Sequence, residues 1–438
     1  MKKWVLAILL SCNAAQADML EALKAYENKD YLQAQQHFSN LLPLGNEIAA
    51  FNLGAMAFQG EGQEKDLSEA IAYFMLAIEL KHPQAKALLP KLVDSASAQQ
   101  LELAYQRFEA LKQQVVISGS DLQQSYDLNM PEPIKRVPPE YPLSAAKKGQ
   151  FGYVALRFLV DEDGKVTAID TIDAYPKNVF ERSAVRAVKN WRYEPSEQKH
   201  LMQVRLDYSL EGGVKVTAVE DAVTKLNLWP YAVAGSPQHQ LALGMLLSLV
   251  EIQSGNSYRF NGELPVSDDA DFSIFESRAK IKADFDDFWG VAEVTVAKDG
   301  TILEQIKGDF DARSVTKNLV GLKLSGKIEA DKYRLVRRSD SNNKRIYVSP
   351  LIETSFAMSG RYWWEQAAKN GSLEAQRIMA AYDKEWEHYL LSQQDAQVLA
   401  WTGTRLILEG QRERGLQLLE QAIAKNYKPA AEMKQQFM

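Results

Sequence analysis

Residues 138–210 carry the pattern that most constrains what this chain can fold into. Two strand-like runs, 153–160 and 166–172, flank Asp163-Gly164, a pair that supplies the positive φ angles of a tight hairpin turn. In the first run every even position is apolar. One face of that strand is therefore expected to be buried.

A helix and a third strand are predicted after the hairpin. Phe180, Ala184, Val188 and Trp191 follow one another at spacings of four, four and three, which places them on one face of a helix. Residues 203–210 then alternate polar and apolar side chains, as in a half-buried strand. The sequence thus predicts a small ββαβ unit within a domain of residues 130–212.

Residues 18–127 show helical periodicity, with apolar residues recurring at spacings of three and four. Around Gly54 and Ala70 the chain resembles the SEL-type branch of tetratricopeptide repeats, in which small residues let paired helices approach closely. Gly60 and Gly62 would end the first helix of that pair. A generic helical hairpin is the alternative.

Helical patterns return over 214–256 and 352–438. Between them, 262–350 contains a second strand pair around Asp299-Gly300 and a helical stripe predicted over 311–322. We interpret this segment as a degenerate second copy of the ββαβ unit. An unrelated antiparallel hairpin domain is the alternative.

The first seventeen residues are typical of an export signal. Lys2-Lys3 precede an apolar run, and Ala15-Gln16-Ala17 offers small residues for cleavage before Asp18. The only cysteine, Cys12, is a lipid attachment site in the alternative interpretation. Neither interpretation leaves a disulfide in the mature chain.

The sequence offers no chemistry that would indicate an enzyme. A net charge of −6 without a basic, aromatic-interleaved face argues against nucleic acid. The five histidines are dispersed without paired ligand spacing, so no metal site is expected. No nucleophile elbow, phosphate loop or dinucleotide fingerprint is present, and no cofactor is predicted.

The motif string in the central domain resembles the TonB C-terminal domain family over about 75 residues. It consists of Tyr141-Pro142, Ala145-Ala146, Gly149, Gly152, Val154, Asp163-Gly164, Phe180-Glu181, Ala187 and Trp191-Arg192-Tyr193-Glu194-Pro195. The expected fold class is therefore a multidomain α+β protein. A TonB C-terminal-like domain is flanked by helical repeats and followed by a degenerate second copy.

The resemblance implies a docking edge. In that family an extended peptide from a transporter lies along the last strand of the domain, so that backbone groups give affinity and alternate side chains give selection. Arg205 and Asp207 would be outward charges of this edge, although charges there can also merely guard an edge against aggregation. The expected partner-binding residues are Tyr141, Pro142, Gln203, Val204, Arg205, Leu206, Asp207 and Tyr208.

Two functions fit these features. The first is a non-enzymatic periplasmic adaptor that docks periplasmic or outer-membrane proteins, TonB-dependent transporters among them. The second is a genuine energy transducer working with an inner-membrane motor complex. Against the second, the apolar N-terminal run is too short for an anchor, a long proline-rich spacer is missing, and the domain lies in the middle of the chain.

Overall fold

The computed structural model describes residues 18–118, 131–210, 214, 216–253, 257–261, 281–337 and 345–438. The predicted export signal, with Cys12 and Ala17, lies outside the described residues. The fold is mixed α+β. Its helices are α1 Met19–Glu27, α2 Tyr31–Leu41, α3 Glu47–Gln59, α4 Leu67–Glu79, α5 Ala85–Ser95, α6 Ala98–Lys112, α7 Leu143–Lys147, α8 Glu181–Lys189, α9 Val216–Lys225, α10 Leu228–Val233, α11 Pro237–Gln253, α12 Gly360–Lys369, α13 Leu373–Ala380, α14 Lys384–Ser392, α15 Ala396–Leu408, α16 Arg412–Ala424 and α17 Lys428–Gln435.

In the described part of the chain the strands pair within four sheets. They are β1 Pro133–Lys135, β2 Gly152–Val160, β3 Val166–Tyr175, β4 Arg192–Tyr193, β5 His200–Tyr208, β6 Ser257–Phe260, β7 Lys282–Ala283, β8 Gly290–Val296, β9 Ile302–Phe310, β10 Leu324–Ser325, β11 Lys332–Arg337 and β12 Tyr347–Thr354.

The described residues form two compact units, and neither is continuous in sequence. One unit contains the described residues up to Ser118 together with 234–238 and 366–390. The other contains those within 124–233, 239–365 and 391–438. The C-terminal helices are therefore divided between the units.

The first unit is helical and is closed by a contact between distant parts of the chain. Asn46 Nδ2 donates to Asn370 Oδ1 at 2.7 Å and to the Lys369 carbonyl at 3.0 Å. Both asparagines are 2% exposed. Since buried amides must be hydrogen-bonded, this pair fixes α13 against the N-terminal helices.

Helices α3 and α4 pack closely, as expected from the small residues there. A Cβ on Gly54 would lie 3.2 Å from the Phe74 ring and 3.3 Å from the Ala70 carbonyl oxygen. Gly60 ends α3 with φ +80°. The helices and this contact are as predicted, whereas the SEL-type assignment stays a prediction.

Two further helix pairs in the second unit meet at glycines. A Cβ on Gly403 of α15 would lie 2.7 Å from the Gly415 carbonyl oxygen of α16. In the same way, a Cβ on Gly244 of α11 would lie 2.8 Å from the Gly360 carbonyl oxygen of α12. Because residues 254–359 separate α11 from α12, the second α+β segment is inserted between two helices of one pair.

The first sheet has the order β3-β2-β5, with all neighbours antiparallel. Helix α8 packs on one face, where Val154, Leu156 and Phe158 of β2 join Phe180 and Val188 in one core cluster. The predicted ββαβ arrangement is thus present. Strands β2 and β3 extend slightly beyond their predicted bounds, whereas β5 begins three residues earlier and ends two residues earlier than predicted.

The opposite face of this sheet is also covered. Tyr153, Ala155 and Leu159 of β2 are at most 5% exposed. Leu159 belongs to a core cluster with residues of α15–α17, among them Trp401 and Leu419. The sheet therefore lies between helices on both sides, which sequence periodicity alone did not indicate.

The second sheet has the order β6-β12-β11-β8-β9. Its β9-β8-β11 part repeats the antiparallel order β3-β2-β5. In addition, the small β7–β10 pair has a counterpart in the β1–β4 pair. Unlike β5, β11 has a further antiparallel neighbour, β12.

The turns of the two sheets have matching geometry. Gly164 and Gly300 have φ values of +76° and +87°. The Tyr193 N–H donates to the Gly164 carbonyl at 2.9 Å, and the Leu324 N–H donates to the Gly300 carbonyl at 2.8 Å. A Cβ on either glycine would lie 2.0 Å from the carbonyl oxygen of that donor residue, so both turns require glycine.

The prediction of a helix over 311–322 is wrong. The backbone N–H groups of Val315 and Thr316 both donate to the Asp287 carbonyl, and Leu319 N–H donates to the side chain of Gln305. These donors are therefore used in contacts with neighbouring segments rather than in a helical ladder. The segment is irregular, and Val315 is 80% exposed.

Candidate docking strand

Strand β5 lies at an edge of the first sheet. Its residues from His200 to Tyr208 pair with Val160 to Gly152 of β2. Among the described residues, no backbone hydrogen bond joins β5 to any other element. Because alternate residues of a strand direct their N–H and C=O groups to opposite sides, β5 presents a row of backbone donors and acceptors for a further strand.

One face of β5 is apolar. Val204 and Leu206 are half-buried and pack against the core beneath α8. Tyr208 stacks on Phe180 with ring centroids 4.3 Å apart. Tyr141 packs edge-on against Tyr208 at 6.0 Å, and its hydroxyl donates to the Gln150 carbonyl. The predicted neighbourhood of Tyr141 and the end of β5 is therefore formed.

The other face of β5 is polar. Arg205 Nε donates to Asp207 Oδ1 at 2.9 Å, and Nη1 donates to Ser248 Oγ of α11 at 3.2 Å. Its guanidinium also lies 3.7 Å from the centroid of the Tyr153 ring, within cation–π range. Gln203 and Asp207 on the same face are exposed.

A buried polar group lies beneath Arg205. The Tyr153 hydroxyl donates to Asp173 Oδ2, and burial together with this carboxylate raises the pKa of Tyr153 well above its ordinary value. Glu251 of α11 accepts a hydrogen bond from the Gly360 N–H at 2.6 Å. Burial raises the pKa of Glu251, although Arg205 opposes this change. Strand β5 is thus tied to the α11–α12 pair through Arg205.

Strand β3, at the other edge, is held by the C-terminal helices. Asp170 Oδ2 accepts hydrogen bonds from Gln397 Nε2 and Trp401 Nε1, each at 2.8 Å, and from the Tyr427 hydroxyl. The guanidinium of Arg157 lies 5.4 Å from the Trp401 ring. Because one carboxylate receives donors from α15 and from the residue preceding α17, it fixes these helices to the sheet.

Comparison with known families identifies the segment that contains this strand. Residues 137–211 match the model of the Gram-negative bacterial TonB protein C-terminal. The match covers the whole of β5 and the Tyr141–Pro142 region, and leaves the helical segments and the second sheet outside it.

Curated relatives align with the same TonB-like region. Protein TonB of Escherichia coli K12 is 31% identical over 86 residues, which cover 20% of this chain and 36% of that protein. Protein TonB of Pseudomonas aeruginosa is 33% identical over 64 residues, covering 15% and 19%. The alignments thus span between about a fifth and a third of the length of these relatives.

Two solved structures are similar to the TonB-like region. The solution structure of the Pseudomonas aeruginosa TonB C-terminal domain is 28% identical, covering 19% of this chain and 92% of that one, with a TM-score of 0.18. The TonB2 protein of Vibrio anguillarum is 32% identical, covering 22% and 95%, with a TM-score of 0.17.

The residues predicted to bind a partner lie together in the TonB-like region, with one difference in orientation. Residues 203–208 lie on β5, Tyr141 packs against its end, and Pro142 immediately precedes α7. Arg205 is directed toward Tyr153 and Ser248 rather than outward, with 19% of its side chain exposed, and the Asp207 side chain, paired with it, is 27% exposed. Tyr153 and Ser248, which orient Arg205, were not predicted, because they belong to β2 and to a helix that is distant in sequence.

No group of three or more histidine, cysteine, aspartate or glutamate residues within the described ranges is placed to hold a metal ion. In the same part of the chain, no helix combines the length and apolar character needed to cross a membrane.

Proposed function

We propose that this protein is a non-enzymatic periplasmic adaptor whose TonB-like region docks an extended segment of an envelope protein on β5. The match of residues 137–211 to the TonB C-terminal family supports an envelope interaction. The expected partners are periplasmic or outer-membrane proteins, including TonB-dependent transporters. Strand addition provides the mechanism, because unpaired backbone groups of an edge strand bind a peptide of suitable length.

The observation that carries the proposal is the difference between two corresponding edges. Strand β11 holds β12 on the side away from β8. Strand β5, on the side away from β2, has no strand neighbour among the described residues. Among the described residues, the two corresponding strands therefore differ: β11 is paired with an added strand, and β5 is not.

We also infer that the inserted segment is a second, degenerate copy of the TonB-like unit. The repeated strand order and the matching turns at Gly164 and Gly300 support this inference. This copy has no counterpart of α8, since residues 311–322, which follow its hairpin, are irregular. In this copy β11 corresponds to β5, and its free side is occupied by β12. The inferred copy therefore offers no equivalent docking site on β11.

Site-specific photo-crosslinking in living cells tests the docking strand. A photoreactive residue at Gln203, which is exposed on β5, should capture a partner through an extended segment that mass spectrometry can map. The same residue at Asp163 on the β2–β3 turn, where the side chain is 75% exposed, serves as the control. Equal capture from both positions, or none from Gln203, would contradict docking on β5.

The identity of the captured protein separates the two candidate functions. A soluble partner, or several envelope proteins captured without an inner-membrane motor complex, supports the adaptor. The energy transducer would instead require an outer-membrane transporter whose capture depends on the proton gradient. Collapse of that gradient with an uncoupler before irradiation distinguishes the two.

A further inference from the structure

The two faces of β5 differ in a way that bears on which peptide it accepts. Toward α8 it presents the partly exposed apolar side chains of Val204 and Leu206. On the opposite face it presents Gln203, Arg205 and Asp207, which are polar or charged. Side chains of an added strand would lie about 5 Å from these residues, alternately on the two faces.

In the second sheet, β11 corresponds to β5 residue by residue, and its outer side is paired with β12. Val204 lies opposite Leu156, and Leu335 lies opposite Ala292. Leu156 and Ala292 both stand eight residues before the turn glycine, since 164 − 156 and 300 − 292 are both 8. Val204 of β5 therefore corresponds to Leu335 of β11.

The neighbouring position on the polar face corresponds as well. Gln203 lies opposite Arg157, and Arg334 lies opposite Glu293. Arg157 and Glu293 each stand seven residues before the turn glycine, since 164 − 157 and 300 − 293 are both 7. Gln203 of β5 therefore corresponds to Arg334 of β11.

The strand that fills the β11 edge presents apolar side chains to the core of the second sheet. Val348 lies opposite Leu335 and packs against the core of the second sheet, as does Ile346. Ser349 lies opposite Arg334, and its hydroxyl is 2.8 Å from the Ser257 hydroxyl. The added strand thus places apolar side chains on the core face, whereas its other face combines the hydrogen-bonded Ser349 with Leu351, which is 5% exposed.

We propose that β5 selects an extended segment with apolar residues at alternate positions and polar residues between them. The apolar residues cover Val204 and Leu206, and the polar residues lie beside Gln203 and Asp207. A run of consecutive apolar residues fits poorly, because half of them would meet the polar face. This inference rests on the proposed docking function and adds the chemistry of the docked segment.

Two labelled peptides of one composition test this selection on the full mature chain. The first is Val-Thr-Val-Thr-Val-Thr-Val, and the second is Thr-Val-Val-Val-Val-Thr-Thr. Valine and threonine are both β-branched and favour strands, so the two peptides differ mainly in pattern. We expect the alternating peptide to bind roughly tenfold more tightly, because several cross-strand pairs each contribute a fraction of a kcal/mol.

Matched variants separate selection from docking. Val204→Thr with Leu206→Thr should reduce the preference to about twofold or less, whereas Gln203→Thr should preserve it. Equal affinity of the two peptides for the unaltered chain, or no binding of either, overturns the proposed selection. Docking itself is judged independently, by photo-crosslinking from position 203 to the natural partner.

Discussion

The guanidinium of Arg205 lies 3.7 Å from the centroid of the Tyr153 ring. This contact joins the edge strand β5 to the central strand β2 across the face that α11 covers. Arg205 also bonds to Asp207 and to Ser248. It therefore holds β5 and α11 in one arrangement.

Replacing Arg205 by alanine should destabilise the second unit by about 1–3 kcal/mol, because it removes a partly buried cation–π contact and two hydrogen bonds. Denaturant unfolding followed by tryptophan fluorescence measures this loss. Arg186→Ala is the matched control, since the Arg186 side chain is 74% exposed and its surface ion pair contributes little. Equal stability of the two variants would show that the Tyr153 contact has no structural role.

Asp170 should be essential for the attachment of the C-terminal helices to the sheet. Asp170→Ala leaves Trp401 Nε1 and the Tyr427 hydroxyl without their acceptor, so we expect a loss of about 2–4 kcal/mol and faster proteolysis of α15–α17. Limited proteolysis with mass spectrometry locates the released segment. Asp221→Ala, at a surface position 70% exposed, should leave the cleavage pattern unchanged.

The glycines at the helix contacts should tolerate alanine to different extents. At Gly244 and Gly403 the added methyl would lie within 2.7 Å of neighbouring atoms, so alanine should cost about 1–3 kcal/mol. At Gly54 the corresponding contacts are 3.2–3.3 Å, and the better helix propensity of alanine offsets part of the strain. Thermal unfolding of the three variants should therefore place Gly54→Ala nearest to the unaltered chain, and the opposite order would refute this packing.

The stability of the helical unit should fall in mild acid because of His82. Its ring stacks on Phe51 with centroids 4.1 Å apart, and burial lowers the pKa of His82 below its ordinary value. The unfolded chain therefore takes up the proton first as the pH falls through about 6.5, which favours unfolding. His82→Phe, which retains a stacking ring without titrating, should show a smaller loss in urea unfolding across this range. An identical pH dependence in both proteins would exclude His82 as the cause.

The local patterns of the TonB-like region were sufficient to predict its ββαβ elements, but not the short α7, β1 and β4. Alternation in residues 153–160, the Asp163-Gly164 turn and the helical stripe ending at Trp191 each depend on neighbours in sequence. The structure has a strand, a turn and a helix at these places. Such periodicities report which face of an element is buried.

The helix predicted over 311–322 shows where this reasoning fails. Leu319 is fully buried as its stripe suggested, but Val315 is 80% exposed. The backbone donors there bond to Asp287 and Gln305, which sequence spacing does not reveal. Contacts with distant segments thus replaced the helical ladder.

The sequence alone determined the β2–β3 hairpin, the strand-like pattern of β5 and the closely packed helices around Gly54, because each follows from side-chain periodicity or from the small size and conformational freedom of glycine. Only the tertiary structure decided that both faces of the first sheet are covered and that Arg205 points toward Tyr153 and Ser248. It also decided that the C-terminal helices attach to β3 through Asp170. Burial of a second face and the pairing of a charge depend on residues that are tens to hundreds of positions apart, and local periodicity carries no information about them.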